Sequence, residues 1–122
     1  MGWVRNRNTV TDWGHILEGA KLPNDIKPSD IDGILERYGY FLVMEVKQPG
    51  ESTSKGQEIL LSALAQIPRF KVIRVVRSME DGVNYVHYYR TGEGKTVTPA
   101  EFIQMVEQWA WEADRRGKAV MP

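Results

Sequence analysis

From Tyr40 to Val46 the chain is apolar at nearly every position, Tyr-Phe-Leu-Val-Met-Glu-Val, and it ends on Lys47. A run of this length bounded by turn residues predicts a central strand covered on both faces. Ile31 to Arg37 precedes it and is joined to it by Tyr38-Gly39, which predicts a hairpin. Ser54 to Ile67 predicts a helix with Leu60, Leu61, Leu64 and Ile67 on its core side, and Pro68 closes it. Lys71 to Arg77 is β-branched and predicts another strand. Asp81-Gly82 is a turn signal, and Val83 to Arg90 follows as the hairpin partner. Gly92-Glu93-Gly94-Lys95 lacks the strand-loop-helix spacing of a phosphate-binding loop and reads as a flexible connector. Thr98-Pro99-Ala100-Glu101 combines a capping box with proline at the first helical position. Phe102, Met105, Val106, Trp109 and Ala113 continue that helix, and Arg115-Arg116-Gly117 is its expected stop. At the other end of the chain, a helix is expected from Thr11 to Lys21, capped by Thr11 or Asp12 and blocked by Pro23. The order α-β-β-α-β-β-α predicts an α/β (α+β) domain on one mixed sheet, a single domain over residues 1–122.

Composition narrows the function classes. The 122 residues include no cysteine, which removes disulfides, thiolate metal sites and cysteine nucleophiles and suits a reducing cytoplasm. No apolar run reaches the length of a membrane span, so no membrane association is expected. Sixteen basic residues balance sixteen acidic ones. A nucleic-acid partner therefore has to be met by a local basic face rather than by overall charge. Arg69, Lys71, Arg74 and Arg77 do not form one, because alternation along a strand turns Arg74 away from Lys71 and Arg77.

The informative chemistry sits on the first hairpin. Burying a charge is expensive unless it is paired or holds a metal, and this hairpin carries Asp30, Asp32, Glu45 and Lys47. If Arg37 faces Tyr40, Asp32 lies opposite Glu45 and Asp30 opposite Lys47, with all four side chains on one face. Directly opposed residues have Cβ atoms roughly 4.5–5.5 Å apart. Two carboxylates that close repel, or one takes a proton, and a divalent cation resolves the conflict. Carboxylates, carbonyl oxygens and waters form the oxygen shell that Mg²⁺ or Mn²⁺ prefers. Lys47 on the same face can orient a nucleophile or offset phosphate charge. Asp30 reads as an ion-pair partner of Lys47. In the following helix Gln57 shares a face with Leu60, Leu61 and Leu64, which turns it toward the sheet.

Asp32 followed by Glu45-Val46-Lys47 resembles the D…E-x-K signature of the PD-(D/E)XK nuclease superfamily. The chain is most similar to its small phage or prokaryotic members, the VRR-NUC-like endonucleases and Holliday junction resolvases. The likeness spans residues 28 to about 77: Pro28-Ser29-Asp30-Ile31-Asp32-Gly33, the turn, the helix with Gly56-Gln57 and the next strand. It departs from the family where Ser29 separates Pro28 from Asp30, and where no strand can be placed ahead of the aspartate strand. The resemblance implies a restriction-endonuclease-like core. Asp32 and Glu45 would be metal-binding carboxylates, the Val46 carbonyl would complete the shell, and Lys47 would be the catalytic lysine. Gln57 matches a glutamine at the start of the family's next helix. Many members add a glutamate from the first helix, for which Glu18 is the candidate and Asp12 a substitute.

The expected function is a Mg²⁺- or Mn²⁺-dependent hydrolase, an endonuclease that cuts DNA and selects junctions or branched structures. By the same resemblance it works as a homodimer in the cytoplasm of a bacterial, archaeal or phage-infected cell, in DNA repair or recombination. The alternative is a catalytically inactive DNA-binding or accessory protein on the same fold, and RNA is a third possible substrate. Trp3 and Trp13 can stack on bases but fit packing roles as well. Arg5, Arg7, Lys55 and Lys95 are candidate phosphate contacts from loops and termini. Trp111 falls off the apolar stripe of the last helix and suggests an interface.

Overall fold

The computed structural model describes residues 12–26, 28–78 and 80–120, which leaves Trp3, Arg5, Arg7 and Thr11 outside the described residues. The chain divides into two compact units, Met1–Asp30 and Ile31–Pro122.

In the first unit a single helical turn, α1 (Trp13–Ile16), is capped by Asp12, whose carboxylate accepts a hydrogen bond from the His15 backbone N–H at 3.0 Å. The helix expected to reach Lys21 ends here. Leu17 leaves helical geometry and Gly19 adopts φ +83°, the left-handed conformation that closes helices. A 3₁₀ turn follows at Pro23–Asp25.

The second unit is an α+β layer structure. Its elements are β1 (Gly33–Arg37), β2 (Tyr40–Lys47), α2 (Lys55–Ala65), β3 (Phe70–Ser78), β4 (Gly82–Tyr88), β5 (Gly94–Thr96) and α3 (Pro99–Val120). The five strands form one mixed sheet in the order β1-β2-β3-β4-β5. Only β2 and β3 are parallel, with α2 as their connection. Tyr38 and Gly39 both take positive φ, 52° and 81°, as a two-residue type I′ hairpin turn requires. That turn sets Arg37 opposite Tyr40, Leu35 opposite Leu42 and Gly33 opposite Met44, the register expected from the sequence.

Alternation along β2 divides the core. Leu42 packs with Ile73, Val75, Val86 and Val97 beneath Phe102, Met105, Val106 and Trp109 of α3. Val43 packs on the opposite face with Val72, Tyr89 and the α2 residues Leu61 and Ala65. Each face of β2 is thus roofed by a helix, which is why the strand tolerates an almost unbroken apolar sequence. Among the described residues no helix is long and apolar enough to cross a membrane.

Two further expectations are corrected. Gly94–Thr96 is a strand, not a flexible connector: Thr96, Lys95 and Gly94 pair with Tyr85, Val86 and His87. All three β5 residues are exposed, so backbone hydrogen bonding rather than an apolar pattern holds the segment. The last helix does not stop at Gly117 but runs to Val120. Gly117 is buried where a Cβ would overlap the Cβ and ring of Tyr38. The glycine therefore serves a close approach between helix and hairpin turn rather than a C-cap. The helix start is as expected: the Thr98 hydroxyl accepts from Glu101 N–H at 3.1 Å, and the Glu101 carboxylate accepts from Thr98 N–H at 2.8 Å.

Candidate active site

β2 carries Glu45 and Lys47 on the α2 face of the sheet, near its carboxyl end. Both are almost fully buried, at 4% and 8% exposure. The carboxyl ends of parallel strands, beside a switch in strand direction, are where open sheets leave room for ligands. Here the switch falls on β2 itself, antiparallel to β1 and parallel to β3.

Asp32 immediately precedes β1 and its Oδ2 accepts a hydrogen bond from the Val46 N–H at 2.8 Å. That bond anchors an exposed carboxylate to the edge of β2. The N–H and C=O of a strand residue point to the same side, so the Val46 carbonyl also faces the Asp32 side. The hairpin register sets Asp32 across from Glu45, one position beyond the Gly33–Met44 pair. Burial first, and then the hydrogen bond and negative charge of Asp32, push the Glu45 carboxyl up to about 7, while Lys47 and Gln57 pull it the other way. A buried acid facing a second carboxylate holds a proton or needs a cation.

Gln57 lies in the first turn of α2, where Ser54 caps the helix by accepting from the Gln57 N–H at 3.1 Å. Its amide oxygen accepts a hydrogen bond from Lys47 Nζ at 2.8 Å. The apolar residues Leu61 and Ala65 hold α2 down on the sheet and so fix where this bond falls. Lys47 Nζ also lies 4.0 Å from Glu51 Oε2, and Glu51 is tied to the loop after β2 by a 3.0 Å bond from Gln48 N–H.

Asp32, Glu45, Val46, Lys47 and Gln57 therefore come together. Glu18 and Asp12 belong to the other unit, where Glu18 is exposed and its carboxylate lies 4.0 Å from His15 Nδ1. Asp30 is likewise an exposed residue of that unit. Among the described residues no cluster of three or more acidic, histidine or cysteine side chains is arranged to hold a metal. The available donors are the Asp32–Glu45 pair, the Val46 carbonyl and water. That set suits Mg²⁺, which commonly takes one or two carboxylates and keeps several waters.

Two neighbours were not singled out as site residues from sequence. One is Glu51. The other is Arg74, the register partner of Glu45 on β3, which bonds to Thr53 and Glu58. Glu51 sits in a loop with no periodic signal, and Arg74 becomes a neighbour only through parallel strand pairing. No protein-family model, curated protein or solved structure matches this chain, so the residues and their geometry carry the functional argument.

Proposed function

We propose that the protein is a Mg²⁺- or Mn²⁺-dependent nuclease that hydrolyses phosphodiester bonds in DNA, built on a restriction-endonuclease-like core. The observation that carries the reading is the cluster in which exposed Asp32 acts on nearly buried Glu45, whose carboxyl is raised by burial and by Asp32, beside a nearly buried Lys47 ammonium held by the Gln57 amide oxygen. A purely structural ion pair needs no second carboxylate, and a packing role is met better by apolar side chains of similar volume.

In this reading Asp32, Glu45 and the Val46 carbonyl hold the divalent cation. When bound, the cation supplies Lewis acidity toward a phosphoryl oxygen and acidifies water. Lys47 spends one N–H donor on the Gln57 amide oxygen, which fixes the ammonium so that it orients the water nucleophile or offsets charge developing on the phosphate without reorganising. Gln57 positions Lys47. Asp32 itself is exposed, which suits a group that meets substrate. Without a cation the site carries more carboxylates than ammonium groups and repels phosphate, so cation binding precedes DNA binding. A homodimer that selects branched DNA fits so small a chain, whose own footprint on a duplex is limited.

A formal net charge of zero favours a second reading, a non-enzymatic DNA-binding or accessory module. One experiment separates the two. The protein is incubated with supercoiled, linear, single-stranded and four-way-junction DNA in Mg²⁺, Mn²⁺ or EDTA. Cleavage with either metal and none in EDTA supports the nuclease. Failure to cut any substrate with either metal overturns it.

A further inference from the structure

The α2 face holds a second polar cluster directly beside the first. Arg74 on β3 is paired in register with Glu45 on β2, one strand spacing away, about 4.8 Å. Its Nη1 donates to Thr53 Oγ1 and to Glu58 Oε1, each at 2.9 Å. The same Glu58 oxygen accepts from the Tyr89 hydroxyl at 2.8 Å, and the guanidinium lies over the Tyr89 ring at 6.0 Å. His87, opposite Arg74 on β4, packs edge-on against Tyr89 at 5.0 Å. Burial and the Arg74 charge hold its imidazole toward the neutral form.

This arrangement immobilises the guanidinium without consuming it. Both bonds use Nη1, and neither engages Nε or Nη2. An arginine has five N–H donors in a rigid fork that matches phosphate oxygens in pairs. The side chain is 24% exposed, so part of it reaches solvent. Anchoring by Thr53, Glu58 and Tyr89 removes most of the rotamer entropy that an unrestrained arginine loses on binding. A group that only stabilised the fold would be served by a single ion pair with Glu58.

We infer that Arg74 forms a phosphate-binding subsite beside the carboxylate pair, where its Nε–Nη2 edge takes a backbone phosphate of the nucleic-acid strand. The inference rests on the nuclease reading and deepens it by placing a backbone phosphate beside the Glu45–Arg74 pair, near the start of α2. It also accounts for recognition of a polyanion by a chain of zero net charge, through one fixed cation rather than a diffuse basic surface.

The test measures DNA binding apart from cleavage. A short fluorescent duplex is titrated in Ca²⁺ with Lys47→Ala protein, alone and combined with Arg74→Gln or Arg74→Lys, from ~50 to ~200 mM salt. Loss of one phosphate contact lowers the slope of log K against log salt by about 0.9. Arg74→Gln is expected to lower the slope by that amount and to weaken binding about tenfold. Arg74→Lys is expected to keep the slope and recover part of the affinity, because it retains charge but not the fork. A structural role lowers the melting temperature of both variants and leaves the slope alone, so an unchanged slope in Arg74→Gln overturns the subsite. If wild-type protein cleaves DNA while that slope is unchanged, the subsite fails and the nuclease stands. If wild-type protein neither binds nor cleaves DNA, both fall.

Discussion

Replacing Glu45 by glutamine keeps the volume of the side chain and removes the charge that its surroundings oppose. Burial and the neighbouring Asp32 raise the Glu45 carboxyl from 4.5 to about 7. Between those values the folded protein keeps a proton that the unfolded chain has already released. The folded state binds more protons, so stability falls as pH rises through this window. The stabilising contribution of the neutral acid is fully present below about pH 4.5 and is lost once pH passes 7. For a fully enclosed group the loss would reach about 3 kcal/mol. The pair opens to solvent through exposed Asp32, and screening there reduces the expected effect to about 1–2 kcal/mol. Glu45→Gln does not titrate. Urea unfolding of wild type and Glu45→Gln in EDTA, at about pH 5 and about pH 8, reads the difference. The variant is expected to gain about 1–2 kcal/mol on wild type across that interval. Parallel pH profiles for the two proteins would refute the argument that the pair is under electrostatic strain.

Four further outcomes follow from named contacts. Mg²⁺ or Mn²⁺ at about a hundred times its dissociation constant should stabilise wild type near pH 8 by about 2.7 kcal/mol; Asp32→Asn should abolish the shift in a thermal melt. Gly117→Ala should destabilise by about 1–3 kcal/mol through collision with Tyr38, the opposite sign to the gain that helix propensity alone assigns to alanine; calorimetry gives the sign directly. Leu42→Ala, which removes a side chain with no exposed surface from the centre of β2, should lose about 2–5 kcal/mol in denaturant titration. Thr98→Ala breaks the reciprocal cap of α3 and should lose about 1 kcal/mol by the same measurement.

The hairpin was legible in sequence because its information is local. Tyr38-Gly39 admits the two positive φ angles of a tight turn, and that turn alone sets which residues face each other. The β2 side chains then follow by alternation: that Glu45 and Lys47 share a face, and that Asp32 falls across from Glu45, follows from counting along the strands. Gln57 was legible through helical spacing. What stayed hidden depends on contacts distant in sequence. β5 has no apolar residue and exists because β4 offers it a hydrogen-bonding edge. Gly117 carries the mark of a helix stop, and only the position of Tyr38 explains why it lies inside the helix. Arg74 looked like one of four scattered basic residues until parallel pairing set it beside Glu45. α1 was overestimated because Ile16, Leu17 and Ala20 suggest periodicity, whereas Gly19 takes a conformation that ends the helix.

The claim on which the rest depends is that Lys47, held by Gln57 beside the carboxyl pair, takes part in phosphodiester hydrolysis. Wild-type and Lys47→Ala proteins, purified identically, are compared on a four-way junction and a linear duplex with Mn²⁺ and with EDTA. Metal-dependent cutting by wild type that falls by at least about 10²-fold in Lys47→Ala is the predicted result. Equal cutting by the two proteins, or none by wild type, would contradict it.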